Sequence, residues 1–269
     1  MPLPSSGQID LNAMHVEAGG TTGTEATIND SDIRGLISKA DGAQMAFNEW
    51  YGASALVTIT AQISGTSTST TVTLPTFSAG DIAIATIQAV AEDSSNTASF
   101  TVNTPSGWTQ AAASQRSVVG PYTKGTLFVH TGLKVCYKVL TAGDTTFTNS
   151  TTGTPTAGLG FRTTVQIYRP STSSPTVTLN DVSTASSNTI NASAASSSVI
   201  MFAATAGSSS THTWGSGPTY NTELSQTLRV ARYVRGSSHF QSTATPSDVS
   251  WSSTTSSDNR YVSGYLEVT

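Results

Sequence analysis

From Ala55 onward apolar and polar residues alternate with a period of two, the mark of strands that bury one face. Val57, Ile59, Ala61 and Ile63 alternate with Thr58, Thr60 and Gln62. Val135, Tyr137 and Val139 alternate with Cys136 and Lys138, and Phe161, Thr163, Val165 and Ile167 with Arg162, Thr164 and Gln166. Phe100 and Val102 flank Thr101, Leu228, Val230 and Val234 share a parity interrupted by Arg232, and Val262, Leu266 and Val268 close the chain. Two stretches, Ile82–Ala91 and Val199–Ala204, are apolar on both faces and read as central strands. Turn residues punctuate these runs at Ala79-Gly80-Asp81, Pro105-Ser106-Gly107, Gly120-Pro121, Ala142-Gly143-Asp144, Gly153–Pro155, Arg169-Pro170, Gly215–Pro218 and Gly236. Roughly ten or more strands with regular turns predict an antiparallel β-sandwich or jelly-roll body over residues 55–269.

Residues 1–54 have a different texture. Seven acidic residues (Asp10, Glu17, Glu25, Asp30, Asp32, Asp41, Glu49) stand against Arg34 and Lys39, so nearly all of the net charge of -4 lies here. Residues 6–14 and 42–50 resemble each other at an offset of 36: Gln8 with Gln44, Ile9 with Met45, Leu11 with Phe47, Asn12 with Asn48, Met14 with Trp50. Each copy alternates like a short strand and then meets an Asn suited to cap a helical turn. Between them Ile33, Leu36, Ile37 and Ala40 recur at helical spacing, with Asn29, Asp30 and Ser31 as cap oxygens and Gly42 as the stop. Asp30 and Asp32 suit the positive end of that helix, and Asn29–Asp32 offers too few ligands for calcium. The segment therefore reads as a small mixed α+β anchor preceding a mainly β chain. It is too short to bury much apolar surface, so its apolar side chains call for a partner surface: the β body, a symmetry mate or another protein.

Charged residues make up only 10% of the chain and Ser plus Thr about a third, a composition that also occurs in disordered chains. The alternation and the 36% of hydrophobic residues point to folded strands instead. The single Cys136 leaves no intrachain disulfide and reads as a buried packing residue. No run has the length of a membrane span, and the opening around Pro2 and Pro4 lacks a secretion-signal pattern, which predicts synthesis in a cytoplasm. No Lys/Arg cluster exists and the pI is about 5.5, which disfavours nucleic acid.

Reactive constellations are sparse. His15, His130, His212 and His239 show no metal-ligand spacing, so neither a metal nor another cofactor is expected. His130 reads as a structural residue in the apolar strand Thr126–Thr131, and His212 as a loop residue near Tyr220. Glu92-Asp93 reads as a solvated loop, and the body's other acids are scattered, although paired carboxylates for glycoside hydrolysis can come from distant positions. There is no G-x-S-x-G elbow, P-loop or dinucleotide fingerprint, and no catalytic residue is assigned. Trp108 and Trp251 read as plugs at the ends of a sandwich core, while Trp214 and Tyr220 are the candidates for contact with a glycan.

Two sets of residues resemble tailed-bacteriophage virion proteins. Leu3-Pro4-Ser5-Ser6-Gly7-Gln8-Ile9, then Asn29-Asp30 with Asp32-Ile33-Arg34, closed by Trp50-Tyr51-Gly52, looks like the opening segment of many such proteins, with Asp10 where Ser is usual. Thr104–Thr109 (Thr-Pro-Ser-Gly-Trp-Thr), followed by Val135-Cys136-Tyr137-Lys138-Val139 and Ala142-Gly143-Asp144, resembles a β-sandwich domain of phage structural and tail proteins, with Cys136 in place of a Tyr. The resemblance implies a non-enzymatic virion component of the tail-fibre or minor-tail type, assembled in the host cytoplasm and serving host attachment. It would dock on a tail hub, tube, adaptor or capsid protein through Ile9, Leu11, Ile33, Leu36, Ile37, Phe47, Trp50 and Tyr51, as a homotrimer. A head decoration protein, a head fibre, or a glycan-binding receptor tip fits the same two-part plan, as does contact with a host surface protein.

Overall fold

The computed structural model of the protein describes residues 3–37, 39–40, 42–51, 56–93, 101–119, 128–153, 158–207, 211–215, 220–227, 231–253 and 260–269. The chain is mainly β with antiparallel sheets, and its contacts divide it into two compact units, Met1–Leu56 and Val57–Thr269. The readings at Phe100, Gly120-Pro121, Leu228 and Val230 lie outside the described residues.

The first unit is built from helical turns. Helix α1 (Leu11–Glu17) starts where the Asp10 carboxylate accepts from Ala13 N at 2.7 Å. Helix α2 (Ser31–Gly35) follows, and then a 3₁₀ turn at Phe47–Trp50, where the Glu49 carboxylate accepts from Ala46 N at 2.7 Å. Leu3, Ile9, Met14, Ile33 and Trp50 close on one another as a core, with Leu11, Leu36, Ile37 and Met45 half-buried around them. The segment thus covers its central apolar side chains without an outside surface.

The repeat at an offset of 36 takes the form of two helical turns. Leu11 and Phe47 both open one, and Met14 and Trp50, three residues on, are both enclosed. The short strands expected over Ile9–Leu11 and Met45–Phe47 do not form, because Asp10 rather than Asn12 caps α1; the Asn12 side chain instead accepts from Gly23 N at 2.9 Å. Helix α2 also stops short of Gly42. Asp30 directs its carboxylate to Thr27 N and Oγ1 (2.8 and 2.7 Å), and the buried Arg34 donates to the Ala40 and Ala43 carbonyls and to Asn29 Oδ1, drawing the chain into a loop.

The second unit consists of two halves with the same winding. The first half contains β1 (Ile59–Ser67), β2 (Thr71–Thr73), β3 (Ile82–Asp93), β4 (Thr101–Val102), β5 (Thr109–Val119), β6 (Phe128–Val139), β7 (Thr146–Thr148), β8 (Thr151–Thr152) and β9 (Gly158–Pro170). The second contains β10 (Val177–Ser183), β11 (Ser187–Ile190), β12 (Ser198–Gly207), β13 (His212–Trp214), β14 (Tyr220–Thr227), β15 (Ala231–Gln241), β16 (Val249–Ser253) and β17 (Arg260–Val268). The large sheets run β1-β9-β3-β6-β5 and β10-β17-β12-β15-β14. The short strands pair as β2-β7 and β4-β8 in the first half and as β11-β16-β13 in the second. Backbone bonds from Asn149 N to Thr70 O and from Asn103 N to Ser150 O make β7 and β8 one interrupted strand. Counting that strand once, both halves read 1-8-3-6-5 over 2-7-4, a jelly-roll winding whose fifth strand has joined the large sheet.

Register supports the equivalence. Ile82 pairs with Tyr168, which pairs with Ala61; Ile200 pairs with Leu266, which pairs with Leu179. Just beyond these positions each first strand is bulged, between Ala61 and Ile63 in β1 and between Asn180 and Ser183 in β10. The β1 bulge breaks the alternation expected through Ile63 and leaves that side chain 44% exposed.

The two large sheets pack face to face. Ile82, Ile84, Leu133, Val135 and Tyr168 from one meet Ile200, Phe202, Ala204, Val262 and Leu266 from the other. Beside this apolar zone lies a buried polar one, where Ser238 Oγ donates to Gln166 Oε1 at 2.9 Å and also bonds Tyr168 Oη. Gly236 lets the sheets approach there, since a Cβ on it would lie 2.6 Å from Thr164 Oγ1 and 3.0 Å from Thr86 Oγ1. Each small sheet covers the other face of its own large sheet, through Val72, Val102, Trp108 and Phe147 in the first half and Ile190, Val249, Trp251 and the half-buried Trp214 in the second. The outward positions of the small sheets are all hydroxyl residues: Thr71, Thr73, Thr101, Thr146, Thr148 and Thr152 in one, Ser187, Thr189, Thr213, Ser250 and Ser252 in the other.

Candidate functional site

The residues expected to dock fall into three groups in the first unit. Ile9, Ile33 and Trp50 form its interior, with Trp50 Nε1 donating to Ile33 O at 3.5 Å. Leu11, Leu36 and Ile37 are half-buried at the margin. Phe47 and Tyr51 remain at the surface, 59% and 39% exposed, together with Val16 at 42%. Phe47 is held by its neighbour, its ring centroid lying 6.0 Å from that of Trp50. The Tyr51 hydroxyl donates to Gly7 O at 2.7 Å, tying the close of the unit to its opening. Lys39 Nζ lies 2.7 Å from Glu49 Oε1, and that bond, followed by the one from Ala46 N, holds the Glu49 carboxyl below the usual carboxylate range. The unit thus carries an exposed aromatic pair on an acid-rich frame; Gly52 lies outside the described residues.

Loop 18–24 is fixed locally. His15 Nε2 bonds Thr24 Oγ1 at 2.8 Å over Gly20, where a Cβ would lie 2.2 Å from the ring and would have to displace it.

In the second unit the two glycan candidates differ. Trp214 is half-buried in β13, where Nε1 donates to Ser237 Oγ at 3.1 Å and the ring lies 6.2 Å from that of His239. Tyr220 opens β14, and its side chain lies outside those described. His212 is a strand residue of β13 rather than a loop residue, because Thr213 and Trp214 pair with β16. Its ring bonds Thr205 Oγ1 at 2.7 Å and also Ser237 Oγ, and burial, followed by the nearby Arg235 charge, pushes its pKa down to about 3.

Other chemistry-bearing side chains are packed into the fold. His130 is enclosed in β6. Burial pushes the Cys136 thiol up to about 12. Trp108 packs on Phe147 with centroids 4.8 Å apart, and Trp251 is 1% exposed. Glu92 is a buried residue of β3 rather than part of a solvated loop, because the strand runs on to Asp93. The Ala142-Gly143-Asp144 signal marks a turn that the Asp144 carboxylate closes, accepting from Thr141 N at 2.8 Å and from Lys138 Nζ at 2.6 Å. Among the described residues no group of three or more His, Cys, Asp or Glu side chains is placed to hold a metal ion, and no helix is long and apolar enough to cross a membrane. Compared with known proteins, the chain matches no family model, no curated protein and no solved structure.

Sequence reasoning did not find the His212 network. The ring's partners Thr205 and Ser237, and Ser253 bonded in turn to Thr205, come from three strands, and the only signal in the chain is His212 two residues from Trp214.

Proposed function

We propose that this protein is a non-enzymatic structural component of a tailed-bacteriophage virion. It docks through its first unit onto a tail protein and displays its β unit as a fibre or receptor-contacting element. The observation that carries this reading is the surface position of Phe47 and Tyr51 on a unit that has already closed its own core. Large aromatics left outside a finished core are the kind of anchor that dominates protein interfaces. The resemblance of Leu3–Ile9 and Trp50-Tyr51-Gly52 to virion-protein openings supports the same reading. The protein is made in the host cytoplasm and acts in the virion, as a homotrimer in the manner of many fibres.

The test is incorporation into particles. Phage carrying the chain without residues 1–56 should assemble without it, and Phe47→Ala with Tyr51→Ala should reduce its copy number per particle. Full incorporation of the deleted chain would overturn the docking role. Immunogold labelling of intact particles separates the tail location from a head decoration protein or head fibre. A glycan-binding tip has less support at Trp214, whose indole N–H is already engaged by Ser237.

A further inference from the structure

His212 stands in an unbroken line of hydrogen bonds between the small and large sheets of the second half. Indole nitrogen only donates, so Ser237 Oγ is the acceptor for Trp214 Nε1–H at 3.1 Å. The Ser237 hydroxyl hydrogen then points to His212 Nδ1. At the other end Thr205 Oγ1 donates to Ser253 Oγ at 3.2 Å, so its 2.7 Å contact with His212 receives the Nε2 hydrogen. The line accommodates a neutral ring protonated at Nε2 with every hydrogen placed. His212, Trp214 and Ser253 belong to the small sheet, Thr205 and Ser237 to the large one. The Trp251 ring meets the imidazole edge-on at 5.4 Å. At the equivalent place in the first half β4 offers only Thr101 and Val102, so this line has no counterpart there.

We propose that His212 is an acid-released latch, whose protonation lets the small sheet β11-β16-β13 lift from its large sheet while the first half stays folded. A charged ring carries N–H at both nitrogens, so Nδ1 can no longer accept, and the hydrogen of the buried Ser237 hydroxyl loses that acceptor. The new charge appears beside Arg235 on β15, which pairs with Thr205; His239, farther along β15, lies against Trp214, and Tyr261 on β17 pairs with Thr205 from the other side. Among the described side chains no carboxylate acts on it. Glu223 is the cross-strand backbone partner of Arg235, and its side chain lies outside those described. The sign follows from the folded value of about 3 against an ordinary 6.5. Stabilisation by the neutral ring is present in full above about 6.5 and is lost as pH falls toward about 3.

Hydrogen exchange on the full chain tests the latch, with rates corrected for the intrinsic effect of pH. Between pH values of about 6.5 and 4, protection of residues 211–215 and 249–253 should fall by up to about tenfold per pH unit, the limit for one proton. Residues 82–93 should keep theirs. In a His212→Gln chain, which keeps a neutral side chain, that dependence should disappear. Retained protection at 211–215, loss shared with 82–93, or an unchanged dependence in the Gln variant would each overturn the proposal. Should the variant not fold, ring ¹⁵N shifts of the wild-type protein decide. A neutral Nε2–H ring at a pH of about 5.5 supports the latch, and a charged ring there overturns it.

Discussion

Arg169 and Glu267 occupy the same place in the two halves of the β unit, one residue after the equivalent pair Tyr168 and Leu266. Each ties the last strand to the loop that precedes the central strand. Arg169 does so through Asp81, donating from Nε and Nη2 at 2.8 Å each, with a further bond to Ser78 Oγ. Glu267 does so by accepting from Ser196 N and Ser197 Oγ at 2.9 Å. The strap is kept and its charge reversed. Asp81 is 1% exposed and also accepts from Ser78 N, so Asp81→Ala should cost about 2 kcal/mol. Glu267→Ala, at a more open site, should cost about 1 kcal/mol. Urea denaturation of the two variants checks the order; equal losses would contradict it.

Gly236 sets the separation of the large sheets. Gly236→Ala should destabilise by about 1–3 kcal/mol, because both hydroxyl residues that it meets are buried. Thr164→Ala removes the nearer atom, so the double variant should recover part of that loss. A double-mutant cycle with no coupling would count against the close approach.

Trp50 and Phe47 should behave oppositely although they stand three residues apart in one turn. Trp50→Ala empties the core of the first unit and should cost about 3–5 kcal/mol, enough to melt so small a unit. Phe47→Ala should change stability by no more than about 0.5 kcal/mol and act on particle incorporation instead. Proteolysis of residues 1–56 reports the first effect and copy number per virion the second.

Cys136 supplies a reporter of opening in the first half. With its thiol pushed up to about 12, native protein at a pH of about 8 should resist iodoacetamide, and labelling should follow unfolding. The same shift stabilises the fold below about 9, the ordinary value of the thiol, and that stabilisation is lost as pH rises toward about 12. Rapid labelling of the folded protein would show that the first small sheet opens readily.

Much of the β unit is legible in the chain. Ile82–Ala91 and Val199–Ala204 stand out as apolar on both faces because each is the third of five strands and is covered on both sides. The duplication is hidden because the halves share register and bulge rather than residue types: Arg169 answers to Glu267, and Asp81 to Val199. The bulge between Ala61 and Ile63 turns Ile63 outward, an irregularity that periodicity cannot register. His212 lies in a strand of three residues, too short to show a period. In the first unit a single carboxylate, Asp10, turns an alternating stretch into a helix. Helical spacing groups Ile33 with Leu36 without saying which way Phe47 turns, so interior and surface side chains of the first unit look alike in the chain.

The hydroxyl rows on the two small sheets carry a physical consequence for the surface of the β unit. Threonine and serine have no ionisation between acid and alkaline extremes, so the hydration of those outer planes is indifferent to ionic strength, to buffering and to passing polycations. Whatever adheres there must do so by shape and short-range polar contact, and seawater or dilute medium would make little difference to it.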